Sequence, residues 1–143
     1  MLVLNRKSRY EYTVIEEFTA GMVLFGSEVK SIRSGNVTLS ESFIFIKDGE
    51  VWIKNMHVAK YKQSHKLEVH DESRDKKLLL NKKEIERISK KVIDKGTTII
   101  PLGIFISNNK LKMKIAVAKG KKDYDKRNSI KERDLKRELQ RSL

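Results

Sequence analysis

The chain has 143 residues, the length of one domain with a single core, so it can fold without disulfide or metal staples. Its 36% charged and 38% hydrophobic content excludes a helical membrane protein, and its lack of cysteine excludes disulfides, zinc-thiolate sites and thiol nucleophiles. The 32 Lys and Arg against 19 Asp and Glu leave a net charge of +13, which suits a polyanionic partner, with nucleic acid or an anionic membrane surface leading.

The start, Met1 to Leu4 followed at once by Asn5, Arg6 and Lys7, lacks the apolar run a signal peptide places after its basic segment, so the chain is expected to remain in the cytoplasm. Residues 10–16 are a predicted strand. Residues 28–34 fit a short helix before Gly35, although Ser27-Glu28-Val29-Lys30 fits a strand nearly as well. Phe43-Ile44-Phe45-Ile46 and Val51-Trp52-Ile53 flank Asp48-Gly49, the strongest short hairpin signal. Asn81 caps a predicted helix over residues 82–94, with Glu84 at its third position, Ile85, Ile88 and Val92 on one face, and Gly96 after its end. Residues 97–107 are a β-branched run, Asn108-Asn109 a hairpin turn, and in residues 110–117 large apolar residues alternate with Lys110, Lys112 and Lys114, which gives a half-buried strand with a cationic outer face. Five or six short strands with hairpin links predict a small antiparallel barrel or sandwich over residues 1–118. Residues 119–143 carry too few large apolar side chains to enclose a core and read as a basic tail, disordered when free.

Enzymatic chemistry finds little support. His57, His65 and His70 match no metal-pair spacing, no Gly-x-Ser-x-Gly elbow exists, and Gly120-Lys121-Lys122 lacks the remainder of a phosphate loop. Adjacent carboxylates such as Glu16 and Glu17 face opposite sides of a strand. No catalytic residue, metal or cofactor is therefore expected. The basic residues are more informative: Arg74, Lys76, Lys77, Lys82 and Lys83 surround Leu78-Leu79-Leu80-Asn81, so cations gather at a helix N-terminus, where backbone N–H groups also favour phosphate. In the tail, Tyr124 lies among Lys121, Lys122, Lys126 and Arg127, a composition that stacks on a base while neutralising phosphates. Ser129-Ile130-Lys131-Glu132 reads as a capping box for a thinly apolar helix over about residues 129–142, which orders only on a partner. Trp52 and His57 are read as structural, the tryptophan as a core residue.

Four motifs in order, Gly26-Ser27-Glu28-Val29-Lys30-Ser31-Ile32-Arg33, Lys77-Leu78-Leu79-Leu80-Asn81-Lys82, Ala116-Val117-Ala118-Lys119-Gly120-Lys121-Lys122 and Asp125-Lys126-Arg127, resemble the bacterial SsrA-binding protein (small protein B) family. The resemblance runs from about Asn5 to Arg141. It implies an OB-like closed antiparallel barrel with two or three attached helices, binding as a monomer, one to one, to the tRNA-like domain of transfer-messenger RNA and delivering it to stalled ribosomes for trans-translation. By position, it puts Glu28, Lys30, Arg33 and Asn36 in one RNA-contact region, and Lys77, Leu79, Leu80, Asn81 and Lys82 in a second, beside Arg74 and Lys76. It also implies that the tail, with Lys119, Lys121, Lys122, Tyr124, Asp125, Lys126, Arg127, Lys131, Arg133, Lys136 and Arg137, occupies the empty mRNA channel and decoding site of the small ribosomal subunit. Two departures stand out: Asp71-Glu72 replaces the family's Asp-Pro, and no tail Trp lies near Leu135.

Overall fold

Two tight turns set the register of the sheet. Asp48 and Gly49 (φ 52° and 75°) join β4 (Phe43–Lys47) to β5 (Glu50–Lys54), and Asn108 and Asn109 (φ 50° and 61°) join β8 (Thr97–Ser107) to β9 (Lys110–Gly120). Consecutive positive φ values are the geometry of two-residue hairpins whose twist matches that of the strands, and Asn, Asp and Gly tolerate it best. The computed structural model describes residues 2–60 and 71–121, without the side chain of Arg9. The tail residues from Lys122 onward, and His65 and His70, lie outside the described residues.

The remaining elements, in chain order, are β1 (Val3–Leu4), α1 (Arg6–Glu11), β2 (Tyr12–Met22), α2 (Gly26–Arg33), β3 (Val37–Thr38), β6 (His57–Val58), β7 (Lys76–Leu79) and α3 (Lys82–Lys91). Strands run β8-β4-β5-β7-β2-β9 and return to β8, so the sheet closes into a six-stranded antiparallel barrel of OB type with β1 added along β8. Closure leaves few edges to pair with other chains. The joint between β8 and β4 is the narrowest, a single pair of Ile44 with Ile99. A separate ribbon pairs β3 with β6.

The period of two fills the interior. Ile44, Val51, Ile53, Leu78, Ile104, Met113, Ile115 and Val117 point inward, and Ile32 of α2 and Ile88 of α3 cover the barrel, all among the buried core residues. The alternation of β9 therefore carries Lys110, Lys112 and Lys114 on the outer side, as its pattern predicts. Bulges interrupt β2 between Val14 and Glu16 and β8 between Pro101 and Gly103. The second meets a proline that has no N–H for the ladder, and buried Asn5 reaches it with Nδ2 donating to the Pro101 carbonyl at 2.8 Å.

Four boundaries differ from those the sequence predicts, the last being the end of β9, which passes into the segment expected as tail. The helical alternative expected over residues 28–34 forms over Gly26–Arg33, because Glu28 closes the first turn by accepting from the Phe25 N–H at 2.8 Å. The expected strand at residues 10–16 starts at Tyr12, since Tyr10 and Glu11 end a helix that the short stretch after Asn5 does not signal. The helix expected to reach Asp94 stops at Lys91, with Gly96 at φ 83° turning the chain into β8. At the far end, β9 runs through Lys119 and Gly120, paired with Thr13 and Tyr12, and the Lys121 N–H donates to the Glu11 carbonyl at 2.8 Å.

Candidate nucleic-acid interface

The two basic regions of the sequence meet through a buried carboxylate. Glu28, on the inward side of α2, is fully buried and receives two donors from Arg74, 46 residues away: Nη2 to Oε1 at 2.6 Å and Nε to Oε2 at 3.3 Å. The same guanidinium lies 4.3 Å from the centroid of the Phe25 ring and donates to the carbonyls of Val23 and Asp75. Lys76 is also fully buried, its Nζ 3.9 Å from Glu28 and donating to the Arg74 carbonyl at 2.6 Å and the Met56 carbonyl at 3.1 Å. Burial pushes the Lys76 ammonium below its usual range, and the Glu28 charge draws it partly back.

The fold buries two of the residues expected at the RNA, Glu28 and Lys76, and turns a third, Arg74, onto Glu28. Glu28 and Lys76 have no exposed surface, and Arg74, with 26% of its side chain exposed, makes four hydrogen bonds within the fold. Together they clasp α2 to the strand that carries Lys77 and Leu79, which makes one rigid surface of two sequence regions. Leu80 likewise faces the barrel, packed against its core.

Above the clasp lies a cleft of about 350 Å³ between α2, the β8–β9 turn and the ends of β2 and β7. Met22, Leu24, Val29, Leu79 and Leu111 form its apolar floor and Arg33, Lys110 and Lys112 its cationic rim. Arg33 donates Nη2 to the Asn109 carbonyl at 2.8 Å, which ties the end of α2 to the hairpin turn. Gly21 keeps the floor open: a Cβ there would stand 3.3 Å from the Leu79 Cβ, and Leu79 itself is 50% exposed. Lys30 and Asn36 are exposed on the α2 side.

On the β7 side, Lys77 points outward and pairs with Glu50 at 3.1 Å. Asn81 begins α3 with a reciprocal cap, its Oδ1 accepting from the Glu84 N–H at 2.8 Å while Glu84 accepts from the Asn81 N–H at 3.1 Å, so the cap takes its side-chain oxygen and Lys82 and Lys83 form an exposed cationic first turn. α3 is held to the barrel by Arg87 (2.9 Å) and Lys91 on the two oxygens of Glu16. The hydrogen bond from Lys91, ahead of the Arg87 charge, holds the Glu16 carboxyl below the usual carboxylate range. Lys119 is exposed at the end of β9, close to where the chain passes to Lys121. Of the tail candidates, Lys122, Tyr124, Asp125, Lys126, Arg127, Lys131, Arg133, Lys136 and Arg137 lie outside the described residues.

The structure thus brings Arg33 and Leu79 into one cleft and adds Lys110, Lys112 and Val29, which reading the motifs alone passes over. Alternation in β9 signals the two lysines as a cationic face, but only closure of the barrel sets them opposite α2. His57 contacts Glu72 (Nε2 to Oε2, 3.0 Å) and bridges β6 to the loop before β7. Among the described residues no group of three His, Cys, Asp or Glu is placed to hold a metal ion. No helix among them is long and apolar enough to cross a membrane.

Comparison with known proteins finds one family along the length of the sequence. The model of the SmpB protein family matches residues 2–143. The SsrA-binding protein of Persephonella marina is 51% identical over 139 residues, covering 97% of this chain and 91% of that protein, and the SsrA-binding protein of Sulfurihydrogenibium sp. is 47% identical over 143 residues, covering 100% and 93%. A solved chain described under "tmRNA-SmpB: a journey to the center of the bacterial ribosome" superposes with a TM-score of 0.71 at 38% identity, covering 86% of this chain and 87% of the other. With ordered motifs, barrel and full-length match in agreement, this chain belongs to the SmpB protein family.

Proposed function

We propose that this chain is a non-enzymatic RNA-binding adaptor of the cytoplasm, which binds the tRNA-like domain of transfer-messenger RNA as a monomer and delivers it to stalled ribosomes for trans-translation. The observation that carries the reading is the apolar-floored cleft rimmed by Arg33, Lys110 and Lys112, built onto a second cationic turn at Lys82 and Lys83 in a chain of charge +13. Relatives named SsrA-binding protein and a neighbour solved as tmRNA-SmpB in the bacterial ribosome support the choice of RNA.

In this reading the phosphates of a folded RNA elbow lie on the cations of the rim and of the first turn of α3, where the orientation of backbone N–H groups adds to the attraction. Lys30, Arg33 and Asn36 approach from α2, and Lys77, Leu79, Asn81 and Lys82 from the β7–α3 side. Glu28 and Lys76 act beneath the surface, with the partly buried Arg74 and Leu80 beside them, as positioning residues that fix the distance between the two sides. Shape selectivity then follows from a rigid separation of two phosphate-binding edges, which a linear strand does not match. Residues beyond Lys121, with Tyr124 as a stacking ring and Lys126 and Arg127 beside it, enter the empty mRNA channel and take the place of the missing codon and anticodon.

The test is competition. Labelled tRNA-like RNA bound to the full chain is expected to be displaced by unlabelled RNA of that shape and not by linear RNA of equal length and composition. Equal displacement by both would favour a barrel that binds RNA for its charge alone, and turnover of either RNA would make the chain an enzyme.

A further inference from the structure

The outer face of the β4–β5–β7 sheet carries a row of aromatic rings. Alternation sends Ile44, Val51, Ile53 and Leu78 inward and leaves Phe43, Phe45 and Trp52 outside, with Phe43 43% exposed and the other two half-buried. The Phe43 and Phe45 rings lie 6.3 Å apart, tilted by 48°. Trp52 is not among the buried core residues, which corrects its reading as a core side chain. The register interleaves rings with ammonium groups: Phe43 lies opposite Lys54, Phe45 opposite Trp52, and Trp52 opposite Lys77.

A protein-binding patch is normally poor in charge at its centre, and lysine is depleted there. Rings alternating with lysines instead match unpaired nucleotides, whose bases stack while their phosphates take the cations. The Lys77–Glu50 pair at 3.1 Å, with both side chains more than a third exposed, is weak enough for a phosphate to replace it. Along β7 the same face passes from Lys77 to Leu79, which lines the cleft described above. We infer that Phe43, Phe45 and Trp52, with Lys54 and Lys77, form a stacking platform for unpaired loop bases of the same tRNA-like RNA that the cleft holds. This inference rests on the proposed function for the identity of that RNA.

Trp52 is the only tryptophan of the chain, so its emission reports on this face alone. The full chain is titrated with tRNA-like RNA, with polyphosphate of matching charge and with a small-subunit decoding-site RNA fragment, binding being followed in parallel by gel shift. Trp52 emission is expected to be quenched by the tRNA-like RNA and unchanged by polyphosphate. F43A, at an exposed position, is expected to bind that RNA roughly 5- to 160-fold more weakly, the range for one lost stacked base, while F43Y keeps wild-type affinity. Tight binding with unaltered Trp52 emission and an F43A variant of full affinity would overturn the platform and leave the proposed function standing. Quenching by the decoding-site fragment alone would overturn the choice of RNA. Absence of any binding to tRNA-like RNA would remove both.

Discussion

Replacing Glu28 by Gln separates a carboxylate that contacts RNA from one that holds the surface together. In the folded chain Glu28 stands between two cations, forked by Arg74 at 2.6 and 3.3 Å and 3.9 Å from Lys76, with no surface exposed. The amide preserves shape and can still accept from Phe25, but it leaves two positive groups facing each other without an anion. Its oxygen keeps one bond from Arg74, but its NH2 is a donor and cannot accept the other, so one hydrogen bond to a charged group, about 1.5–3 kcal/mol, is lost. The uncompensated Lys76 brings the total near the ~3–5 kcal/mol typical of breaking a buried ion pair. Against a total stability of about 5–15 kcal/mol the variant still folds, with a sharply lower urea midpoint by Trp52 fluorescence. RNA binding weakens with it, because α2 and β7 no longer hold their spacing. Burial already lowers the Lys76 pKa, and removing the carboxylate lowers it further. A folded pKa depressed below that of the unfolded chain means the unfolded state binds more protons in the window between the two, so stability rises with pH there. The E28Q deficit is therefore expected to shrink as pH rises toward the ordinary lysine range, and adding K76M is expected to recover part of it at neutral pH. E28Q with the wild-type urea midpoint and a tenfold loss of RNA affinity would refute the clasp and return Glu28 to direct contact with RNA.

Three further outcomes are expected. Truncation after Lys121, which spares the pairing of Lys119 and Gly120 with β2, leaves tight shape-selective RNA binding, with log K falling against log salt at a slope of about −4 to −5 for ~5–6 neutralised phosphates, as measured by filter binding. Y124A lowers peptidyl transfer to the tagging RNA on stalled ribosomes far more than RNA affinity, by about 1–3 kcal/mol of lost stacking, and Y124H retains much of the activity; a scrambled tail of the same composition that supports tagging at the full rate would show that charge alone suffices. Glu16, whose carboxyl is held below 4.5 chiefly by its hydrogen bond from Lys91, adds stability that is present above its unfolded pKa and lost as pH falls through the folded one. E16Q is thus expected to show a smaller loss of thermal stability than the parent between pH 5 and pH 3, and parallel curves would show that this pair contributes nothing.

Local chemistry made much of the barrel legible in the sequence. Asp48-Gly49 and Asn108-Asn109 announce turns because few other residue pairs accept consecutive positive φ, and both turns form where expected. Asn81 and Glu84 announce a helix start because each satisfies the other's backbone N–H, and alternation at residues 110–117 assigns an inner and an outer face. The +13 charge marks the class of partner, since charge acts at long range and needs no fold to be counted. Residues 28–34 fit helix and strand nearly alike because seven residues hold too few repeats to separate a period of 3.6 from one of two. The separate fates of Lys76 and Lys77, one buried on a carboxylate and one outside, were decided only by tertiary structure. Neighbouring strand residues face opposite ways, and which lysine turns inward depends on Glu28, a partner 48 residues distant in the chain. The cleft is likewise a product of closure, in which α2, β7 and the β8–β9 turn meet at a point that no stretch of sequence contains. Burial of a charge is settled by what surrounds it in space, and a linear sequence records only what precedes and follows it.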